Sequence, residues 1–335
     1  MSARIVAPTA PALAEAARIL ARGGLVAFPT ETVYGLGANA LDAQAVARIF
    51  AAKGRPATNP LIVHVENEAA ARALARRWPE AAARLAAAHW PGPLTLVVEK
   101  IDAIPELVTA GGGTVGLRVP AHPVALALLR ACGVPLAAPS ANRSEAISPT
   151  TARHVAESLG PFVDDLLILD GGPCRVGIES TVVDVTGATP VVLRPGMLRL
   201  EATSARSASP SAPSSSAASA ASAASAASVA SAPTRPLAAP GRSPGEVARS
   251  PGQATRHYAP GKPLVLLRED DVLHASRAGD GLLRLPATPD AAAAILYAEL
   301  RRLDADPQVA RIVVVLPPAD AGWDAIRDRL RRAAN

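Results

Sequence analysis

The chain has 335 residues, of which 49% are hydrophobic but only 3% aromatic, so its core must consist mainly of aliphatic side chains. Lys and Arg outnumber Asp and Glu by 34 to 29, a net charge of +5 that suits an anionic ligand but falls well short of a polybasic nucleic-acid tail. The chain has only two cysteines, which exclude a disulfide framework and an all-cysteine zinc site, and its six histidines are scattered. No apolar run approaches the roughly 20 residues that span a bilayer. We therefore expect a soluble cytoplasmic protein without membrane contact.

The first 201 residues alternate between helical and extended patterns. Residues 25–28 form a short apolar run typical of a buried strand, and Asp42 is suited to cap a following helix. Because the later strands have no helices between them, we expect a mixed sheet rather than a purely parallel one. Further strands are predicted at 61–65, 94–99, 115–119, 135–138, 166–169, 181–185 and 191–193, and helices near 13–20, 43–53, 67–77, 79–88, 122–131 and 149–159.

A compositional break separates this block from the C-terminal one. From Ser204 to Pro233, 28 of the 30 residues are Ser, Ala or Pro, a composition that buries too little apolar surface to offset the entropy of ordering. We therefore interpret 202–261 as a linker between an N-terminal domain at 1–201 and a small Rossmann-like α/β domain at 262–335. In that last domain, strands are predicted at 264–267 and 312–316, and helices near 290–303 and 323–333.

The stretch from Pro29 to Gly37 directly follows a predicted strand. Gly35-x-Gly37-x-x-Ala40 formally fits a dinucleotide-binding fingerprint, but Gly37 comes nine positions after Phe28, where a tight strand-to-helix turn is needed. No acidic residue follows about 20 positions later to bind a ribose. The sequence therefore argues against a dinucleotide site.

Two cations at the end of a predicted helix are candidate catalytic residues. Lys53 and Arg55 precede Pro56 and Asn59-Pro60, which stiffen the backbone, and a rigid pair of cations suits a triphosphate. The plain structural alternative is that Lys53 only complements the negative end of the helix dipole.

Further polar residues lie in or beside apolar strands. His64 in such a strand is more often a structural residue than a functional one, whereas Arg118 is costly there unless it is paired, and a substrate carboxylate would serve as its partner. Ser140 follows a strand near the position where α/β sheets place ligands. Ser148 precedes Pro149 and is predicted to cap the next helix, a position that also suits a phosphate.

Taken together, these segments resemble the YrdC-like family in its two-domain form. Seven motifs carry the resemblance. The first six cover nearly the whole N-terminal block in matching order and spacing, and the seventh, SPGxxxRHYAP, marks the two-domain form. The motifs are PTETVYGLG at 29–37, KGRP with NPLIVHV at 53–65, GLRVP at 116–120, APSAN at 138–142, ESTVVD at 179–184, LRPG at 193–196 and SPGxxxRHYAP at 250–260.

The resemblance implies a twisted sheet with a concave basic face and a nucleotidyltransferase reaction. In that reaction L-threonine, bicarbonate and ATP give threonylcarbamoyl-AMP and pyrophosphate, and the product goes to the tRNA threonylcarbamoyl transferase machinery for threonylcarbamoyladenosine modification of tRNA. Magnesium is expected to come with ATP, without ligands from protein side chains and without a tightly bound organic cofactor. The resemblance assigns the threonine site to Thr32, His64, Arg118, Ala138 and Ser180, and the ATP site to Arg55, Asn59, Thr114, Ser140, Ser148, Arg194 and Tyr258, with Lys53 near the phosphates.

Residues 250–260 are further predicted to form a mobile lid over the active site. Pro251-Gly252 and Ala259-Pro260 would be the stiff ends around three side chains that can reach a nucleotide. The alternative is a passive tether whose aromatic residue packs on the C-terminal domain. The three side chains are those of Arg256, His257 and Tyr258.

A different function, a double-stranded RNA or tRNA binding module, would use the same basic concavity. Shape-based RNA recognition needs phosphate contacts spread over a wide face. The candidate cations here instead accompany a polar cluster of threonine size, which favours a small-molecule pocket. Weak RNA binding is compatible with either function.

Overall fold

The computed structural model of the chain describes residues 3–200, 250–251 and 257–335. Within these ranges the α/β prediction is confirmed: a ten-stranded mixed sheet with helices is joined by a three-stranded parallel sheet. Most of the predicted linker at 202–261 lies outside the described residues. None of the described helices is both long and apolar enough to cross a bilayer.

The ten-stranded sheet has the order β1-β8-β2-β3-β7-β4-β6-β5-β9-β10. Parallel and antiparallel neighbours alternate irregularly along it, as the lack of helices between the late strands indicated. In chain order its elements are β1 Arg4–Val6, α1 Ala10–Ala21, β2 Val26–Phe28, β3 Gly35–Asn39, α2 Ala43–Lys53, β4 Ile62–His64, α3 Glu68–Ala73, α4 Glu80–His89, β5 Leu94–Glu99, α5 Glu106–Thr109, β6 Thr114–Arg118, α6 Pro123–Cys132, β7 Leu136–Ala137, α7 Ala152–Leu159, β8 Leu167–Leu169, β9 Thr181–Asp184 and β10 Val191–Arg194.

Both faces of this sheet are covered, which explains its continuous apolar strands. In β2, Ala27 belongs to a core shared with α2, α4 and α7, whereas Val26 and Phe28 face a second core with α1 and α6. The alternation of side chains along a strand therefore decides which layer each residue joins.

One strand was missed and one local expectation was wrong. Gly35–Asn39 is a strand that pairs antiparallel with β2, so the segment that formally matches the dinucleotide fingerprint is not a strand-to-helix turn, in agreement with the argument against a dinucleotide site. Ser148 does not cap α7, because the helix begins only at Ala152 and the Thr151 hydroxyl accepts from the backbone N–H of His154. Asp42, in contrast, caps α2 as predicted.

The C-terminal sheet is parallel throughout, in the order β11-β13-β12. Its core also includes Val33, Ile147 and Ile178 of the N-terminal part, so the two parts share a packed apolar boundary. The sequence patterns missed α8 and β12, which are short and partly exposed. The elements are β11 Leu264–Leu267, α8 Glu269–Ala275, β12 Asp280–Leu283, α9 Pro289–Ala305, β13 Arg311–Val315, a 3₁₀ turn Ala321–Trp323 and α10 Asp324–Ala333.

Candidate active site

A cavity that is open to solvent lies over the middle of the ten-stranded sheet. Ile62 and His64 are two residues apart in β4, so their side chains leave the same face, and Arg118 of β6 is paired with His64. These residues form the floor of the cavity. The loops after β2 and β7, with residues 257 and 258, form its walls.

Nine of the thirteen candidate residues line this cavity. The structure thus brings together residues that are up to 226 positions apart in the chain, from Thr32 to Tyr258. The nine are Thr32, Arg55, His64, Arg118, Ala138, Ser140, Ser180, Arg194 and Tyr258. The four that do not line it are Lys53, Asn59, Thr114 and Ser148.

Arg118 already has a carboxylate partner within the chain. Its Nη2 donates to Oε1 of Glu31 at 2.6 Å, and its Nη1 donates to the hydroxyl of Thr32 at 3.0 Å. Glu31 is itself buried, and its other oxygen accepts from the backbone N–H of Ala121. A substrate carboxylate would therefore be an additional partner of a fixed guanidinium. Sequence analysis missed Glu31, although it lies inside the 29–37 motif.

His64 is buried in the floor with its Nδ1 unpartnered among the residues that the structure describes. Burial, aided by repulsion from the Arg118 guanidinium, lowers the pKa of His64 to about 3. The ring is thus neutral at physiological pH and meets Phe28 edge to face, with 6.2 Å between ring centres. A neutral imidazole with a free ring nitrogen can hydrogen-bond a polar group of a ligand.

Two guanidinium groups line the cavity without a carboxylate partner in the described part of the chain. Arg55 donates to the carbonyl oxygens of Asn59 and Pro60, at 3.0 and 2.7 Å. Arg194 donates to the carbonyl and hydroxyl oxygens of Ser180 and to the carbonyl of Pro251. Burial lowers the pKa of Arg55 to about 9, which leaves it charged at neutral pH. Two buried cations that form no ion pair are costly unless an anion binds beside them.

Lys53 lies behind the cavity wall rather than on it. Its Nζ donates to the carbonyl oxygen of Ser140 at 2.6 Å and to that of Asn142, which ties the end of α2 to the loop after β7. Burial, together with the nearby charges of Arg55 and Arg143, lowers the pKa of Lys53. In this arrangement Lys53 holds Ser140 in place, and its predicted contact with phosphates stays a prediction.

Glu179, which sequence analysis did not single out, is the one acidic side chain among the described residues that lines the cavity. Its carboxylate accepts from Ser148 at 2.6 Å, from Tyr297 at 3.0 Å and from Arg329 at 2.9 Å. Burial alone would raise its pKa, but Arg329, Arg194 and these hydrogen bonds outweigh burial and lower it to about 2. Partners 118 and 150 positions away explain why no local pattern revealed this role.

Tyr258 closes one side of the cavity in a backbone conformation that non-glycine residues seldom adopt, with φ of 62°. Its ring stacks on Tyr297 with 5.7 Å between centres. Its hydroxyl and Nδ1 of His257 are buried without hydrogen-bond partners in the described ranges. The backbone N–H of Ala259 donates to Glu145, so this segment is docked on the N-terminal domain. Of the lid predicted at 250–260, residues 252–256 lie outside the described residues.

The remaining two candidates lie apart from the cavity surface. Asn59 offers its carbonyl to Arg55 rather than its side chain to the cavity. Thr114 begins β6 opposite Glu99, at the other end of the strand from Arg118. Their predicted roles in ATP binding stay predictions.

Two family models match the chain. The Sua5/YciO/YrdC model, described as "Telomere recombination", matches residues 18–196, and the model "Threonylcarbamoyl-AMP synthase, C-terminal domain" matches 219–335. Among curated relatives, the threonylcarbamoyl-AMP synthase of Pyrococcus abyssi is 52% identical over 186 residues, which cover 56% of this chain and 54% of that protein. The Bacillus subtilis synthase is 48% identical over 196 residues, 58% of this chain and 56% of that protein. The chain thus aligns with about half the length of these relatives.

Solved structures extend the similarity to both parts of the chain. Sua5 of P. abyssi complexed with L-threonine superposes with a TM-score of 0.77 at 35% identity, covering 96% of this chain and 94% of that one. A double variant of the same protein, with a histidine and a tyrosine replaced by alanine, gives a TM-score of 0.78 at 36% identity and covers 92% of its length. Escherichia coli YciO matches 58% of this chain, with a TM-score of 0.50 at 27% identity.

Proposed function

The chain belongs to the Sua5/YciO/YrdC family in its two-domain form, and from this premise we propose that it joins L-threonine, bicarbonate and ATP into threonylcarbamoyl-AMP, with release of pyrophosphate and water. The relatives' names and the threonine complex of the P. abyssi protein support the proposal. It makes the chain a nucleotidyltransferase, since AMP is transferred to an acyl oxygen.

The observation that carries the proposal is the unbalanced charge of the cavity. Arg55 and Arg194 are buried in its wall with carbonyl and hydroxyl oxygens as partners, and neither forms an ion pair within the described ranges. Arg118 and Glu31, in contrast, neutralise each other. The cavity therefore has a charge-balanced region around Arg118 and a region of net positive charge around Arg55 and Arg194, which suit threonine and a triphosphate respectively.

The chemistry asks for positioning and charge stabilisation rather than a strong base. The threonine amine takes up carbon dioxide from bicarbonate and becomes a carbamate, which is already an anion. A carbamate oxygen then forms a bond to the α-phosphorus while the bond from the α-phosphorus to the pyrophosphate oxygen breaks. Buried guanidinium groups beside the phosphates stabilise the developing charge, and holding both anions in one cavity supplies proximity.

In this proposal magnesium enters as part of the ATP substrate. We propose that the phosphate oxygens of ATP, rather than protein side chains, are its main ligands. The ion supplies charge neutralisation on the triphosphate. The chain's own part is to bind the phosphates through Arg55 and Arg194.

The product is a mixed anhydride and is prone to hydrolysis, so it needs a prompt acceptor. We propose that a downstream transferase passes its threonylcarbamoyl group to adenosine in tRNA. Tyr258, which closes the cavity, would limit the access of water to the anhydride.

Measurement of pyrophosphate release tests the function. Purified full-length protein with MgATP should release pyrophosphate only when L-threonine and bicarbonate are both present, and threonine should be preferred modestly over serine. The preference should be about 10-fold, because one methyl group in an apolar niche contributes about 1–3 kcal/mol. No pyrophosphate together with tight, salt-dependent binding of tRNA would replace the enzyme with the RNA-binding alternative.

A further inference from the structure

The C-terminal domain places two side chains against the wall of the active-site cavity. Tyr297 from α9 and Arg329 from α10 both donate to Oε2 of Glu179, at 3.0 and 2.9 Å. The other carboxylate oxygen accepts from Ser148 at 2.6 Å. The one acidic residue that lines the cavity in the described structure is therefore held at both oxygens, and two of its three donors come from the other domain.

Arg329 is a costly residue in this position. It is 1% exposed, its Nη1 pairs with Asp328 at 2.8 Å, and its Nη2 is buried with no hydrogen-bond partner among the described residues. Apolar side chains could dock α10 on the N-terminal domain at least as well as a buried ion pair does. The presence of the charge here therefore indicates a role in the electrostatics of the cavity.

Apart from its pairing with Asp328, the contacts of Arg329 lead to the ATP half of the site. Through Glu179 it fixes the hydroxyl of Ser148, and its guanidinium carbon lies 5.1 Å from the centre of the Tyr258 ring. Glu179 and Arg194 also attract each other. The threonine half has its own buried pair, Arg118 with Glu31, and shares none of these hydrogen bonds.

Without Arg329, the cavity would contain an unneutralised carboxylate at the place where a triphosphate must bind. Such a carboxylate would repel the phosphates and would also be free to draw Arg194 away from them. Tyr258 would lose the cation that packs on its ring.

We propose that Arg329 is a positioning residue through which the C-terminal domain sets the affinity of the active site for ATP. It acts by neutralising and orienting Glu179 and by holding Tyr258 against the cavity. The inference rests on the proposed function, to which it adds a role for the second domain.

The experiment compares Arg329→Met, Arg329→Lys and the double variant Glu179→Gln/Arg329→Met with the wild type. Arg331→Met is the matched control, since Arg331 is an exposed residue on the same helix. Calorimetry gives the Kd of MgATP, pyrophosphate release gives the KM values for ATP and threonine, and thermal unfolding reports the fold.

Arg329→Met should weaken MgATP binding at least 10-fold and change the KM for threonine less than 3-fold. The double variant should bind MgATP at least 3-fold more tightly than Arg329→Met, because it no longer contains the buried anion. A purely structural role for Arg329 would give no such recovery. Arg329→Lys should lie between Arg329→Met and the wild type, and Arg331→Met should match the wild type.

Equal losses for ATP and threonine, unchanged ATP affinity, or a double variant no better than Arg329→Met would each overturn the inference. If Arg329→Met does not fold, the Lys variant and the double variant decide by the same criteria. A wild type that binds MgATP but releases no pyrophosphate would contradict the proposed function alone, since the ATP affinities would still test Arg329. A wild type that does not bind MgATP would overturn both.

Discussion

Arg55 combines a cost for folding with a benefit for binding, and the two can be measured separately. We predict that Arg55→Met leaves the free energy of unfolding within about 1 kcal/mol, because two lost hydrogen bonds are offset by removal of a buried unpaired charge. The KM for ATP should rise about 100-fold or more, since charge-assisted hydrogen bonds to phosphate contribute about 1.5–3 kcal/mol each. Urea unfolding and steady-state kinetics provide the two measurements.

The control for Arg55 is Arg48→Met. Arg48 also donates to a backbone carbonyl, that of Gly23, but it lies on the exposed face of α2, away from the cavity. It should change neither quantity appreciably. If Arg55→Met instead unfolds easily and keeps its KM for ATP, Arg55 is a structural cation at the end of the helix.

The buried His64 should make the stability of the protein depend on pH. Its pKa is about 3 in the folded chain and about 6.5 when unfolded, so between these values only the unfolded state binds the proton. Stability should therefore fall as the pH drops from 6.5 toward 3, by at most about 1.4 kcal/mol per pH unit from this residue. Glu179, with a folded pKa of about 2, acts in the same direction below about pH 4.5.

Urea unfolding at several pH values checks this dependence. In His64→Gln the slope between pH 4 and 6.5 should be shallower than in the wild type, because glutamine does not titrate. His274→Gln, a substitution at an exposed position, is the control. Equal slopes for wild type and His64→Gln would mean that the His64 imidazole is protonated as easily in the folded state as in the unfolded state.

Single residues show what sequence could and could not predict about the site. Arg118 in an apolar strand indicated a buried pairing, and the structure places it on the cavity, while its assignment to threonine stays a prediction. Its partner Glu31 escaped notice because its role depends on how the loop after β2 folds back over β6. Glu179 and Arg329 lie 150 positions apart, and no periodicity or motif spacing connects residues of two different domains.

At the scale of elements, periodicity predicted the long segments well and the glycine-rich ones badly. Helix α2 begins after Asp42 and ends at Lys53 as expected, because cap, apolar spacing and a terminal glycine agree. Strand β3 was missed because Gly35 and Gly37 favour turns when considered alone. A β-carbon at Gly37 would press on the Phe28 ring, so close packing against the neighbouring strand explains the glycine.

Amide exchange in the segment around Tyr258 tests whether this segment is a lid. The backbone N–H groups of His257 and Ala259 donate to Arg332 and Glu145, so their exchange with solvent reports whether the segment opens. If the segment is a lid, MgATP with threonine should slow the exchange of both amides several-fold. The amide of Leu316, which is bonded to Leu267 within the C-terminal sheet, should not change. Exchange that ignores the ligands would favour the passive tether.

At the scale of the whole molecule, the active site is a property of both domains. The N-terminal part supplies the floor and, among the described residues, the cavity arginines Arg55, Arg118 and Arg194. The C-terminal domain supplies two of the three donors to Glu179 and the ring on which Tyr258 stacks. Composition and motifs predicted two α/β units, but the side chains that connect them depend on how the units dock. The geometry of docking should therefore affect the proposed activity, even though no residue of α9 or α10 lines the cavity.

Gly177 allows docking to be altered without touching the site. It has φ of 82°, and a β-carbon there would overlap the carbonyl of Ala293 in α9. Gly172, in the same loop, has φ of 80° but open space around its α-carbon. Alanine at either position is destabilised by about 1–2 kcal/mol through the left-handed conformation. Only the alanine at position 177 also overlaps α9. The difference between Gly177→Ala and Gly172→Ala thus isolates the effect of docking.

We predict that Gly177→Ala is less stable than Gly172→Ala by about 1–3 kcal/mol, the usual cost of overpacking, as measured by urea unfolding. Because α9 carries Tyr297, its displacement should loosen Glu179, and the KM for ATP should rise several-fold in Gly177→Ala while the KM for threonine stays near the wild-type value. Gly172→Ala should keep both KM values. If the two variants have equal stability and equal kinetics, α9 yields to the extra methyl group without cost, and the contact between the domains is too soft to control the ATP half of the site.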